Sequence, residues 1–477
     1  MRPGPQLLTY PDSLGGDLPR LRALLEGPLA GLFGGVHILP PFPSSGDRGF
    51  APLTYREIEP RFGGWADIRG IAQTHDVLLD LMVNHISRRS AEFRDFEEHG
   101  RASAYADLFI TLDKVWPGGE PDPTDVARIF LRKPDHPFST ITVGATGEQE
   151  TVWTTFGRPD GSSEQVDLDL RSEATRRLIA GWFTFLADRG VSIVRLDAVG
   201  YVVKEAGTTC FMVEPAIWER IDWLIEAAGR AGLSVLPEVH DVPATHAKLA
   251  ARGYWTYDFI LPGLTLHAFR TASAGRLAEH LRSSPDRQYT TLDTHDGIPV
   301  SPDLEGILDH REMGELAEEI VARGGNVNRI LSDHHAAGTD VHQLNCTYHA
   351  ALGGDDERYL AARAIQLFAR GVPQIYYVGL LAGGNDHAAV AATGEGRAVN
   401  RHDYTTDEMA AALGRPVVRR LLERVRFRHD HPAFDGSVDV DVPEPARLVI
   451  RRRSGPHEAT LDVDLRTGAH AIAASGA

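Results

Sequence analysis

The sequence predicts an α/β chain: a (β/α)8 barrel with an inserted subdomain after strand 3, a second insertion after strand 7 and a small C-terminal β domain. Three observations predict it. Eight short apolar runs alternate with helical patterns along the chain, the signature of repeated β-α units. Two of the spacings between runs are far too long for a βα loop. Beyond about Phe434 the helical periodicity stops and short alternating runs replace it.

The eight runs are Gln6–Thr9, Gly35–Leu39, Val77–Val83, Ser192–Leu196, Ser234–Pro237, Tyr257–Leu261, Tyr289–Leu292 and Gln374–Val378. Val77–Val83 and Val191–Val194 are almost continuously apolar, as strands buried on both faces should be. Between the runs, Ser172–Arg189, Glu214–Ala231 and Arg358–Ala369 carry apolar residues at three- and four-residue spacing, which predicts helices. The stretch His85 to Val191 is rich in Gly, Pro and Asp, and most of it is expected to be an inserted subdomain. A second excursion runs from Gly297 to about Gly353. Barrel segments are therefore expected at 1–85, 167–296 and 354–431, insertions at 86–166 and 297–353, and a terminal domain at 432–477. In that last domain Val438–Val442, Arg447–Arg451 and Ala459–Val463 read as strands, while the Ala-rich end is expected to fray.

Composition bounds the function. The 477 residues are 42% hydrophobic and 24% charged, which is ordinary globular usage. A formal net charge of −17 argues against a general nucleic-acid binder. It also means that an anionic substrate needs locally placed cations. The two cysteines, Cys210 and Cys346, are expected to be reduced and partly buried thiols. No CxxC pair or His/Cys cluster points to zinc. The start of the chain lacks the apolar core of a signal peptide, and no apolar run is long enough to cross a bilayer. A cytoplasmic enzyme is the expectation, with no membrane and no nucleic-acid partner.

Chemistry concentrates where strands end. Asp197, in Val194–Tyr201, ends the fourth run, Glu238 follows the fifth and Asp296 follows the seventh. Residues at the C-terminal strand ends of such barrels form the active site. A single acid there is as often a helix cap or ion-pair partner; three together point to one site. Retaining glycosyl transfer uses two carboxylates about 5–5.5 Å apart, one as nucleophile and one as acid/base. Asp197 is the better nucleophile, because Arg195 lies two residues earlier and is expected to keep it ionised. Glu238 follows Leu236-Pro237, and apolar neighbours are expected to suit it to acid/base work. Asp296 is then the residue that stabilises the transition state. His85 and His295, at the ends of the third and seventh strands, are candidate donors to sugar hydroxyls.

These residues carry a family resemblance. Asp80–His85, Arg195-Leu196-Asp197-Ala198, Glu238 and His295-Asp296 resemble the motif segments of glycoside hydrolase family 13, the α-amylase clan. Gly35–Pro40, Arg195–Tyr201, Lys204–Thr208, Thr294–Ile298 and Gly371–Gly379 resemble the family's sucrose phosphorylases more closely, over almost the whole chain. The resemblance implies nucleophile Asp197, acid/base Glu238 and stabiliser Asp296. It also implies a glucose pocket of Asp47, Phe50, His85, Phe156, Arg195, His295 and Arg397, with Arg401 a near alternative to Arg397. Phe156 would be an aromatic platform beside the glucosyl cation. The implied reaction transfers glucose to the enzyme and then to inorganic phosphate, with retention and without metal or cofactor. Asn84 resembles a calcium-binding position of amylases, but an Asn at a strand end more often anchors a loop.

The acceptor side departs from the typical sucrose phosphorylase pattern. Arg132 stands where that pattern has proline, and His342 where it has tyrosine. Arginine suits bidentate phosphate recognition, and histidine is expected to add a cationic donor. The pattern resembles the sister group of sucrose 6'-phosphate phosphorylases, with Lys133, Asp340 and Gln343 as further acceptor contacts. The implied partners are a phosphorylated disaccharide and inorganic phosphate. The alternatives are glucosylglycerate phosphorolysis, where the same cations hold a carboxylate, plain sucrose phosphorolysis, and a non-catalytic barrel subunit.

Overall fold

The computed structural model describes residues 2–133, 136–157, 165–329 and 341–476. Eight parallel strands form the barrel: β1 (Gln6–Thr9), β2 (Gly35–Ile38), β3 (Asp76–Met82), β4 (Val191–Asp197), β5 (Ser234–Pro237), β6 (Thr256–Asp258), β7 (Gln288–Thr290) and β8 (Val372–Tyr376). Ladders run in the order β6-β7-β8-β1-β2-β3-β4-β5, and none joins β5 to β6 among the described residues. The β4–β5 ladder brings the ends of these two strands level with each other. Leu196 pairs with Pro237, and the Glu238 amide donates to the Leu196 carbonyl at 3.1 Å. Inside the barrel, Leu78, Ile193, Leu236, Tyr257, Phe259 and Tyr289 pack into one buried layer beneath the mouth. They make a solid floor rather than a pore.

The apolar runs locate every barrel strand, with boundaries shifted by one to three residues in most of them, and two of the shifts have a clear cause. The sixth run was expected to continue to Leu261, but β6 stops at Asp258 and Leu261 opens a helix, Leu261–Thr271. The Asp258 carboxylate accepts the Leu261 amide at 3.0 Å, so the acid that ends the strand also caps the helix. The eighth run likewise spans β8 and a helical turn, Tyr377–Leu380. In both places the strand and the helix after it are buried, and burial erases the periodicity that would mark the junction. The helix expected from Glu214 starts at Ala216.

The first insertion contains a hairpin, Phe138–Thr142 with Gln149–Trp153, and its two ends are joined by the antiparallel pair His85–Ser87 with Gln165–Asp167. It has its own apolar cluster, including Trp116, Phe138 and Trp153. The second insertion is a three-stranded antiparallel sheet with Val341–Asn345 at its centre, beside the helix His310–Ala322. The terminal domain is a four-stranded antiparallel sheet. Its last strand, His470–Ser475, pairs along His457–Asp464, so the Ala-rich end is ordered rather than frayed. A continuous ladder satisfies its backbone, which composition does not reveal. Cys210 and Cys346 are buried and free. Among the described residues no helix is long and apolar enough to cross a membrane.

Candidate active site

The mouth is organised around one buried guanidinium. Arg195 sits on β4, where it pairs with Asp80 of β3 in register. Its Nη1 contacts Asp80 and lies 3.2 Å from Asp197 Oδ1, while Nη2 lies 2.5 Å from Glu238 Oε1. Asp80 is held in turn by His37, with Nε2 at 2.8 Å. Burial disfavours its charge, but His37 and Arg195 outweigh burial and bring Asp80 down to about 2. The Arg195 side chain is 3% exposed, so its orientation is fixed by these contacts.

Asp197 and Glu238 meet at this arginine. Glu238 Oε2 also accepts the Ala198 amide at 3.1 Å. Ala198 has a left-handed backbone (φ 51°), and that turn is what aims its amide across at β5. Arg195, the Ala198 amide and His240 surround Glu238, rather than the apolar neighbours the sequence led us to expect. Asp197 differs too. Burial and then the charge of Glu238 push its carboxyl well above the ordinary range, against the pull of Arg195. Arg195 therefore does not by itself offset burial and the charge of Glu238 at Asp197. The two carboxyls share one guanidinium, which also contacts Asp80.

Asp296 lies opposite. Its Oδ1 accepts Arg397 Nη1 at 2.8 Å, and His295 Nε2 lies 3.2 Å from Oδ2. Burial opposes its charge, but Arg397 and Arg401 hold it far below the carboxylate range. Burial drives His295 down to about 3, leaving a neutral imidazole. Gly297 lets the loop turn here at φ 107°; a β-carbon would stand 2.4 Å from the Leu344 carbonyl. Phe50 stacks flat on His295 at 5.0 Å. His85 donates from Nε2 to the Phe50 carbonyl at 3.1 Å and meets the edge of Phe156 at 5.3 Å. Arg397 lines the cavity, whereas Arg401 lies behind Asp296 with its Nε on the His295 carbonyl at 2.7 Å. The Asp47 side chain lies outside the described residues.

The acceptor side closes from two insertions. Arg132 reaches from the first and His342 from the second, with Nη1 and Nε2 3.1 Å apart. His342 Nδ1 donates to the Ser301 carbonyl at 2.8 Å, so Nε2 is the acceptor for Arg132. Burial, then Arg132 and His240, bring His342 down to about 3. The expected cationic donor is thus a neutral acceptor that holds Arg132. Gln343 also lines the cavity. Lys133 does not. It is buried within the insertion, donating to Thr154 Oγ1 at 2.6 Å and the Phe138 carbonyl at 3.0 Å. Its neighbour Arg132 faces the cavity. Asp340 lies outside the described residues.

Several cavity residues went unassigned in the sequence. Phe130, Tyr201 and Phe211 form an aromatic wall beside Arg132. Burial pushes the Tyr201 phenol up to about 12 against the pull of Arg132. Gln165 and His240 complete the lining. Tyr201 and His240 lie within the strand-end stretches already singled out, so their position was legible. Phe130, Phe211 and Gln165 carry no such signal. Asn84 serves the loops. Its Oδ1 accepts Lys204 Nζ at 3.0 Å and its Nδ2 donates to Asp167 at 3.0 Å, while Lys204 lies 2.8 Å from Asp167. A lysine ammonium therefore occupies the oxygen cluster that joins β3, the first insertion and the loop after β4. No group of three or more His, Cys, Asp or Glu with metal-binding geometry occurs among the described residues.

The chain is similar to known proteins over nearly its whole length. The family model for the α-amylase catalytic domain matches residues 33–231. The chain is 50% identical over 464 residues to a sucrose 6(F)-phosphate phosphorylase of Thermoanaerobacterium thermosaccharolyticum, covering 97% of this chain and 95% of that one. It is 43% identical over 464 residues to a sucrose phosphorylase of Streptococcus mutans, covering 96% and 95%. A crystal structure of sucrose 6F-phosphate phosphorylase from Thermoanaerobacter thermosaccharolyticum superposes with a TM-score of 0.97 at 49% identity, covering 100% of this chain and 97% of that one.

Proposed function

This chain belongs to glycoside hydrolase family 13, among its sucrose phosphorylase-type glycoside phosphorylases, and from that premise we propose its substrate and mechanism. The substrate is sucrose 6'-phosphate, cleaved by inorganic phosphate to α-D-glucose 1-phosphate and D-fructose 6-phosphate. The observation that carries the reading is the meeting of Arg132 and His342 at the cavity that holds Asp197, Glu238 and Asp296. On a chain of net charge −17, an arginine fixed at a cavity wall is a place for a dianion. The relative that is 50% identical bears the name of this activity.

The glucosyl unit sits among Phe50, His85, Phe156, His295, Asp296 and Arg397, with Arg195 beneath. Asp197 attacks the anomeric carbon as the bond to the fructosyl oxygen breaks, and Glu238 delivers its proton to that oxygen. In this step the proton lies on Glu238 rather than on Asp197, which is charged. Arg195, in contact with both, accommodates either arrangement. Asp296 stays ionised and stabilises the oxocarbenium-like transition state. Fructose 6-phosphate leaves, inorganic phosphate takes its place beside Arg132, and a phosphate oxygen displaces Asp197 while Glu238 accepts the proton. Two inversions give net retention. Each charge that develops is met by a side chain of the protein, so the reaction is written without metal or cofactor.

The test is release of glucose 1-phosphate, with phosphate present, from sucrose, sucrose 6'-phosphate, glucosylglycerate and glucosylglycerol. Sucrose 6'-phosphate is expected to give the highest kcat/KM by at least about tenfold, the worth of one charge-assisted contact. A higher kcat/KM on sucrose or glucosylglycerate would overturn the assignment.

A further inference from the structure

Behind the acid/base candidate lies a buried carboxylate that the mechanism above does not use. Asp303, in the second insertion, has a fully buried side chain. Each of its oxygens faces an imidazole: Oδ2 lies 3.0 Å from His240 Nδ1, and Oδ1 lies 3.1 Å from His246 Nε2. A carboxylate accepts, so His240 carries its proton on Nδ1 and turns Nε2 toward Glu238 Oε1, 3.7 Å away. Phe259 fixes the plane of the ring, stacked at 3.9 Å and 14°. His246 comes from the helix Pro243–Ala251 and holds the second oxygen, so the carboxylate cannot rotate away from His240.

We propose that Asp303 and His246 are positioning residues that act through His240 on Glu238, fixing how readily Glu238 gives its proton to the leaving oxygen. The groups facing His240 are Asp303, Glu238 and Asp296 as anions and His342 across the ring edge at 5.7 Å. Burial lowers the His240 pKa, but Asp303 and then Glu238 and Asp296 raise it further, so the net direction is up. A proton on His240 then favours the carboxylate that Glu238 becomes after donation. Without Asp303 the imidazole loses both its orientation and the anion that most raises its pKa.

The inference rests on the reading of Glu238 as the acid/base, and one experiment separates the two. Aryl α-glucosides of graded leaving-group basicity are turned over by the full-length enzyme, and log(kcat/KM) is plotted against leaving-group pKa. Glu238→Gln should steepen this slope, because basic leaving groups then depart unprotonated; general-acid loss costs about 10²–10⁴. Asp303→Asn should steepen it too, with about a tenfold loss for the most basic leaving group and little for nitrophenolate. His246→Gln, which spares the His240 contact, should show the same trend more weakly and guards against failure of Asp303→Asn to fold. In a His240→Gln background, Asp303→Asn should have no further effect. If Glu238→Gln leaves the slope unchanged, the acid/base reading fails. If Glu238→Gln steepens it while Asp303→Asn and His246→Gln lower all substrates equally, only the positioning role is overturned. The same holds if Asp303→Asn acts fully without His240.

Discussion

Arg132 Nη1 lies 3.1 Å from His342 Nε2, a contact between two insertions 210 residues apart in the chain. The histidine is locked as an acceptor because its other nitrogen donates to the Ser301 carbonyl. It therefore positions the arginine instead of adding a charge. Removing the cation should cost more than removing its holder. Arg132→Ala is expected to raise KM for sucrose 6'-phosphate by about 10- to 100-fold, the range of a hydrogen bond to a charged group. The value for sucrose should change by less than about threefold. His342→Phe should raise KM for the phosphorylated substrate by a smaller factor. Initial-rate kinetics on both substrates decide this, and equal changes on both would remove Arg132 from phosphate recognition.

Lys133, next in sequence, should behave as part of the fold. Its ammonium serves Thr154 and the Phe138 carbonyl, and burial brings it down to about 8. Lys133→Met leaves those partners unsatisfied and should lower stability by about 1–3 kcal/mol, with KM for sucrose 6'-phosphate unchanged within about twofold. The pH dependence has a definite sign. Between about 8 and the ordinary 10.5, the unfolded chain holds a proton that the folded one has lost. Wild type must therefore gain stability relative to Lys133→Met as pH rises through that window. Urea unfolding at pH 7.5 and pH 10 measures it.

The two arginines around Asp296 should separate by readout. Arg397 faces the cavity with its side chain 35% exposed, whereas Arg401 is 7% exposed and donates to the His295 carbonyl. Arg397→Ala is expected to lower kcat/KM by about 10- to 100-fold with Tm nearly unchanged. Arg401→Ala should lower Tm by several degrees, because it orphans a buried carbonyl and opens a cavity. Kinetics paired with thermal melts test both, and a reversed pattern would exchange their roles.

How much of this was legible in the sequence follows from what is local. A strand end is a one-dimensional feature, so Asp197, Glu238 and Asp296 could be placed at one mouth from apolar runs alone. The exact end of β6 was not, because the buried run passes from strand into the helix at Leu261 without a change of pattern. Arg132 and His342 stood out only against a family pattern. Their relation depends on Ser301, which no spacing links to them. Lys133 was misassigned because a loop residue's direction is set by tertiary packing. His240 sat in plain view two residues after Glu238, but its partner Asp303 lies 63 residues on.

Asp197 carries the largest expected separation of stability from activity. It is the proposed nucleophile, and burial together with Glu238 raises its carboxyl pKa well above 3.8. A raised folded pKa means that the folded state binds more protons than the unfolded one between the two values. The stability of the protonated form is then lost as pH rises through that interval, so at neutral pH burying this ionisable carboxyl weakens the fold. Asparagine keeps the shape and carries no charge. Arg195 retains Asp80 and Glu238 as partners in the variant. Asp197→Asn should therefore melt higher than wild type at pH 7, by about 2–4 °C. The advantage should shrink toward pH 4, where the unfolded carboxylate begins to take up its proton. The same change removes the atom that attacks the anomeric carbon, so kcat should fall by at least about 10⁴. Melting curves across pH and single-turnover rates on sucrose 6'-phosphate measure the two halves. A variant that melts lower than wild type would contradict the electrostatic account of the site, and one that still turns over would contradict the nucleophile.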